Sequence, residues 1–273
     1  MAKRNRTTDE DKIQKRIQHK RGEGRGANYL PWLTIQDVPS QGLATRIRGH
    51  KTNRIHHLLS KLETDFFCLL EMSPQVIDIR EQYPLLPLEE TLTIAEICGI
   101  RHPTDPKTQR PIVMTTDFLI TRFWQGKQAE LARSIKYCQD LASKRTLEKL
   151  EVERRYWQSR QVDWGIVTEK ELPLVLVQNC RLLRDYLEFP VEGLSERETG
   201  TIFEILTQKI ERNRNMALRQ AALECDCDLG LARGASLAVA YHLIATRRWG
   251  VDWQMPVDPG QPLAFTFCQG GAA

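Results

Sequence analysis

Asp117 stands in Met114-Thr-Thr-Asp-Phe-Leu-Ile-Thr121, a β-branched run that reads as a buried strand. A carboxylate in such a strand needs a cation, a metal ion or a dense set of hydrogen-bond donors, because burying it unpaired is costly. The following run, Ala132-Arg-Ser-Ile-Lys-Tyr137, offers a cation: Lys136 shares a strand face with Ser134 and Ala132 by the two-residue period. Glu63 flanks the apolar stripe of a predicted helix, where its carboxylate can point along a sheet edge. Two carboxylates and a lysine make a hard-oxygen site of the kind Mg²⁺ takes, with an ammonium beside it. Such a site activates water and steadies the extra charge of a phosphodiester transition state. The same residues also admit plainer readings. Glu63 taken alone is an ordinary helix surface charge, and Asp117 with Lys136 is a structural ion pair across a hairpin.

The elements that would position these groups follow from the apolar pattern. Ile55, Leu58, Leu59, Leu62, Phe66, Leu69 and Leu70 predict a helix from Ile55 to about residue 71. Val76–Arg80 and Gln82–Leu86 read as a strand pair broken near Glu81, and residues 89–99 as a short helix or irregular insertion. Ile112–Thr121 and Gln128–Tyr137 are expected to pair as a hairpin through a turn at Arg122–Lys127, with Gly126 free to take a positive φ. A charged helix over Lys144–Arg160 and a short strand over Val162–Val167 complete a mixed α/β core within residues 51–169. Beyond it the pattern is nearly all helical: Glu171–Leu187, a capping box at Ser195 and Glu198 opening a helix to about Arg212, Asn215–Asp226, and Ala235–Arg247. Alternation at Trp249–Trp253 and Leu263–Phe267 then predicts a hairpin. Three helices and a hairpin give residues 170–273 the plan of a mostly α winged-helix domain.

The chain has 273 residues and a formal net charge of +4, with 41% hydrophobic and 27% charged residues. This composition excludes wholesale disorder, and no apolar run is long enough to span a membrane. No secretory signal is read at the N-terminus, and the seven cysteines are scattered without a Cys-x-x-Cys pair, so free thiols in a reducing cytoplasm are expected rather than zinc or disulfides. The small net charge hides a basic N-terminal arm over residues 1–50, where Lys3, Arg4, Arg6, Lys15, Arg16 and Arg25 are candidate phosphate contacts. A solvated tail explains the same charge. Lys149, Arg154 and Arg155 on the charged helix, and Arg247 and Arg248 after the last one, are further candidates for DNA binding. The helix Ala235–Thr246 carries few side chains able to read base edges, so backbone contact or protein docking is expected of that domain.

Several blocks, in order, resemble the TnsA family, the endonuclease subunits of heteromeric cut-and-paste transposases. They are Tyr29-Leu-Pro-Trp-Leu33, His56-His-Leu-Leu-Ser-Lys-Leu-Glu63, Asp78-Ile-Arg-Glu-Gln-Tyr-Pro-Leu-Leu-Pro87, Thr115-Thr-Asp-Phe-Leu119 and Lys144-Arg-Thr-Leu-Glu-Lys-Leu-Glu-Val-Glu-Arg-Arg-Tyr-Trp157. The resemblance implies a restriction-endonuclease-like core, a mixed sheet flanked by helices, ahead of the winged-helix domain. It carries Glu63 and Asp117 onto the metal-binding acids and Lys136 onto the catalytic lysine. Ser134 stands where such sites normally have Glu or Gln, and the Ile135 carbonyl is a further metal ligand. The implied cofactor is Mg²⁺, with Mn²⁺ able to substitute. The implied reaction is cleavage of the 5′ strands at transposon ends, within a complex. Its partners would be transposon-end DNA, the 3′-strand-cleaving transposase TnsB and the AAA+ ATPase regulator TnsC, in a bacterial cytoplasm at the nucleoid. Ser134 keeps an alternative open, a DNA-binding adaptor with a degenerate nuclease core. A stand-alone restriction-type nuclease is disfavoured because no clear specificity element is visible.

Overall fold

The computed structural model describes residues 10–38, 43–188 and 193–267, so Lys3, Arg4 and Arg6 lie outside the described residues. The chain divides into two compact units, Met1–Leu172 and Pro173–Ala273. In the first unit, α1 (Glu10–Gln18) buries Ile13 with Trp32 and Val113, so this part of the basic segment is docked on the fold. A hairpin of β1 (Thr45–Gly49) and β2 (Arg54–Leu58) follows, then α2 (Lys61–Met72). This corrects the expected helix from Ile55. Ile55 is exposed while His56 and Leu58 are buried, a two-residue period that the apolar spacing concealed. Ser60 caps α2 by accepting from the Glu63 N–H at 3.1 Å, which fixes the helix start at Lys61, six residues after Ile55.

The main sheet has the order β3 (Val76–Pro84), β4 (Thr115–Trp124), β5 (Lys127–Ile135), β6 (Asp163–Val167), antiparallel except for β5 with β6. It is a mixed sheet with helices on both faces. Helix α2 and β2 cover one face, where Leu58, Leu62, Phe67 and Leu70 pack on Ile79, Phe118, Ile120 and Ile135. Helices α3 (Leu88–Ile97) and α4 (Lys144–Ser159) belong to the other, where Ala95, Val152, Tyr156 and Trp157 pack with Leu85, Met114, Leu119 and Ala132. β4 runs to Trp124, beyond the expected turn start, and Gln125 and Gly126 make the turn with φ of +48° and +75°.

The expected break near Glu81 is local, and β3 continues through it. Residues an even number apart in a strand share a face, yet Ile79 belongs to the α2 side and Tyr83 to the α4 side. The partner strand does the same, with Phe118 on the α2 side and Thr116 hydrogen-bonded to Glu153 and Trp157 of α4. Both strands change over at one level. Glu81 pairs with Phe118 and Tyr83 with Thr116, while the ladder has no Gln82–Asp117 pair, and Gln82 sits at a φ of +49°. Asp117 therefore stands where the sheet turns its faces over.

The second unit contains α5 (Leu174–Leu183), α6 (Glu196–Arg212), α7 (Leu218–Leu229) and α8 (Ala235–Ala245). The Ser195–Glu198 capping box is present. α5 begins later than expected, after Pro173, and ends in a 3₁₀ turn at Arg184–Tyr186. The expected hairpin shrinks to a two-residue ladder, β7 (Trp249–Gly250) with β8 (Thr266–Phe267). Pro256, Pro259 and Pro262 remove donors from the connecting chain. Asn179 holds part of it instead, donating to the Trp253 and Met255 carbonyls and accepting from the Val257 N–H.

Candidate active site

Glu63 is the third residue of α2, and its carboxylate accepts from the Leu59 N–H at 3.0 Å. That contact and the Ser60 cap explain how a buried acid is tolerated at a helix start, where the helix dipole also favours negative charge. Burial nevertheless raises its pKa, and the neighbouring Asp117 charge adds to this, so that it is pushed up to about 7 against the hydrogen bonds that favour ionisation. Asp117 uses one oxygen, Oδ2, for two short contacts: the Ile135 N–H at 2.7 Å and the Lys136 ammonium at 2.7 Å. Lys136 Nζ also donates to the Ile135 carbonyl at 2.9 Å. Burial works against the Lys136 charge, but the Asp117 carboxylate outweighs it and holds the ammonium above its usual range. Glu63, Asp117, Ile135 and Lys136 thus meet at the sheet's changeover.

Ser134 does something other than expected. It is fully buried on the α4 side, and its hydroxyl donates to Glu153. Glu153 also accepts from Thr116 Oγ1 at 2.7 Å and Trp164 Nε1 at 3.1 Å. The short serine leaves room for a carboxylate that arrives from α4 instead of from β5. Burial raises the Glu153 pKa, with Asp117 adding to the effect. Sequence reasoning missed Glu153, although the signal was the one that found Asp117: an acid on an apolar face, here between Leu150 and Trp157 at helical spacing. Among the described residues no three His, Cys, Asp or Glu side chains form a metal cage by themselves.

Two hollows open on this group. A cleft of about 920 Å³ is bounded by Asp117, Lys136, Arg145, Lys149 and Glu153. A recess of about 460 Å³ is bounded by Ser60, Glu63, Ile135 and Lys136, so that Lys136 lines both. Lys149 is exposed on the cleft wall, and its pKa is lowered first by partial burial and then by the neighbouring charges of Lys136 and Arg145.

Of the other described basic candidates in the first unit, none lines either hollow. Arg154 and Arg155 both pair with Glu151 on the surface of α4. Arg16 pairs with Asp37 and lies over the Trp32 ring, Arg25 pairs with Glu130, and Lys15 is exposed on α1. In the second unit Arg247 lies over Trp253 and Arg248 over Phe203. His56 is a core residue: its Nδ1 lies 2.7 Å from Glu81 and its Nε2 2.7 Å from Thr52 Oγ1.

A mixed sheet with helices on both faces, and acids and a lysine gathered where it turns over, defines a restriction-endonuclease-like domain. A family model described as the TnsA-like endonuclease N terminal matches residues 73–169, and one described as the TnsA endonuclease C terminal matches residues 171–253. Asp117, Lys136 and Glu153 fall within the first match. The Tn7 transposition protein TnsA of Escherichia coli is 42% identical over 230 residues, covering 84% of this chain and 83% of that protein. The chain belongs to the TnsA endonuclease family, and is a nuclease subunit of a transposase.

Proposed function

We propose that this chain hydrolyses the 5′ strands at transposon ends with the help of Mg²⁺, acting within a complex that contains TnsB and TnsC. The observation that carries the reading is the convergence of Glu63 from α2, Asp117 from β4 and Lys136 just after β5, beside a cleft where Arg101, Arg145 and Lys149 alternate with Asp140, Glu148 and Glu153. The residues fit a divalent ion. Burial raises the Glu63 pKa and the Asp117 charge adds to it, and a cation held by the two carboxylates would offset both. Mg²⁺ keeps several waters and takes few protein oxygens, so two carboxylates and the Ile135 carbonyl suffice without a closed cage. Such an ion supplies Lewis-acid polarisation of the phosphoryl oxygen and a more acidic bound water.

The chain's own groups account for the rest of the mechanism. The Ile135 N–H and Lys136 fix the Asp117 carboxylate, so it does not reorganise as charge develops. Lys136 keeps its proton and offers it within hydrogen-bond reach of the site, where it orients water or balances the phosphorane. Lys149 on the cleft wall holds a flanking phosphate, beside Arg145 in its pair with Glu148, which positions the strand without reading its sequence. Glu153 adds a carboxylate next to Asp117, where Ser134 has none to give, and this favours an active centre over an adaptor with a degenerate core.

For the second unit we propose a winged-helix role in docking or backbone contact. Helices α6, α7 and α8 followed by the β7–β8 ladder support it, and buried Val239, Ala240, Leu243 and Ile244 leave α8 little surface for base reading. No helix among the described residues is long and apolar enough to cross a membrane. The experiment is Asp117→Ala assayed for excision with the partner proteins and end DNA present. The expected result is loss of 5′-strand cuts with 3′ cuts and assembly retained; undiminished 5′ cutting would remove Asp117 from the reaction.

A further inference from the structure

We propose that Gln82 is a positioning residue for the site, which its strained backbone and its side-chain amide together assemble from both faces of the sheet. This rests on the reading of Glu63 and Asp117 given above. Gln82 is 2% exposed and stands opposite Asp117, between the Glu81–Phe118 and Tyr83–Thr116 pairs. Its φ of +49° is a left-handed conformation that a non-glycine residue in a strand seldom adopts, and such conformations persist where the surroundings impose them. What surrounds it is specific. The Trp32 N–H donates to the Gln82 carbonyl at 3.2 Å, tying the segment after α1 to this point.

The changeover is what makes a two-faced site available. On one side of Gln82, Glu81 points to Arg54 and His56 under α2; on the other, Tyr83 lies against Trp157 of α4. Glu63 of α2 and Glu153 of α4 come from opposite faces of the sheet, and at the changeover the charge of Asp117 acts on both. The side chain continues the same task. Its Nε2 donates to Glu63 Oε2 at 3.4 Å, and its Oε1 accepts from Thr115 Oγ1 at 3.1 Å. An amide supplies the donor for the carboxylate and the acceptor for the hydroxyl in one group. Glutamate would set a like charge against Glu63, methionine would offer no donor, and glycine would accept the backbone but leave Glu63 with the Leu59 N–H and without the amide donor.

The test compares Q82M, Q82G and Q82E with Glu63→Ala in the full chain. One readout is Mn²⁺ binding by EPR titration, and the other is the Mg²⁺ dependence of 5′-strand cleavage with partner proteins and end DNA. Partners that orient metal-holding carboxylates typically alter affinity by about ten- to hundredfold when removed. Q82M and Q82G are expected to bind Mn²⁺ at least about tenfold more weakly and to need correspondingly more Mg²⁺, with kcat at saturating metal within about threefold of the parent. Q82E is expected to be weaker in folding and to lose this split. Wild-type Mn²⁺ affinity in Q82G overturns the proposal even if Q82M fails to fold, because glycine keeps the left-handed backbone and lacks the amide alone. A fall in kcat with unchanged Mn²⁺ affinity also overturns it, leaving Gln82 a prop for the fold. If Glu63→Ala cuts normally, the site itself is misassigned; if Glu63→Ala is inactive and the Gln82 variants bind metal normally, the positioning role is overturned by itself.

Discussion

Two glutamates buried on the α2 side of the sheet have opposite electrostatic fates. Glu81, fully buried, receives two Arg54 guanidinium contacts, the His56 ring and the His57 N–H. Burial alone would raise its pKa, but His56 and Arg54 outweigh it and hold the carboxyl far below the usual range. Glu63, nearly as buried, has Asp117 for a neighbour, and its pKa goes up to about 7. One acid is saturated with donors and joins β2 to β3. The other is left short of positive charge at the edge of a cleft. Burial is common to both, so it does not distinguish a structural carboxylate from a functional one; the sign of what surrounds it does.

The largest effect expected from this contrast is on cleavage. Glu63→Gln should reduce 5′-strand cutting by about a thousandfold or more, over 4 kcal/mol of transition-state stabilisation. The thermal midpoint should hold or rise, because a crowded charge is removed. A midpoint several degrees lower, with cutting retained, would make Glu63 the structural acid. Glu81→Ala should do the reverse. It strands Arg54 and His56 in the core, and breaking a buried pair in this way costs about 3–5 kcal/mol, read from denaturant unfolding. Whatever fraction remains folded should still cut.

Titration separates the two acids next, by a smaller amount. Glu63 has a folded-state pKa above its unfolded value, so its contribution to stability is present below about pH 4.5 and is lost as pH rises through about 7. Glu81 has a depressed pKa, so its contribution is present above the unfolded value and is lost as pH falls through the folded one. In divalent-free buffer, the Glu63→Gln variant should therefore gain stability on the parent between pH 5 and pH 8, by about 1–3 kcal/mol. Scanning calorimetry of the two chains across that range measures it, and parallel pH profiles would show that Glu63 is not strained by Asp117.

The acids were legible in the sequence to different degrees, for physical reasons. Asp117 betrayed itself by interrupting an apolar strand, and Lys136 by the two-residue period. Glu153 carried the same signature on α4 but was passed over, because charged neighbours such as Glu151 and Arg154 mask a buried acid on a polar helix. The helix expected from Ile55 failed because residues 55, 58, 59 and 62 recur at helical spacing, while residues 54–58 are drawn into a strand by pairing with Thr45–Gly49, which lies outside that window. Gln82 gave no signal at all. A left-handed residue that turns a strand over is set by Trp32, Thr115 and Glu63, partners distant in the chain, and propensity carries no trace of them. The capping box at Ser195 is the opposite case: every group it needs lies within four residues, and it formed as read.

The smallest expected effect extends the comparison from acids to bases. Lys149 on the cleft wall is crowded by like charge, whereas Arg154 and Arg155 share Glu151 on the same helix. A cation already paired gives little to an incoming phosphate, since forming the new contact breaks the old one, while an unneutralised patch gains by it. Each phosphate contact adds about 0.9 to the slope of log affinity against log salt. Lys149→Ala should therefore lower the slope for end-DNA binding by about 1, and Arg154→Ala with Arg155→Ala together by less than that. Fluorescence anisotropy across a salt series measures both. A larger loss in the arginine pair would mean that DNA displaces Glu151, and that the strand lies along the outer face of α4 instead of in the cleft.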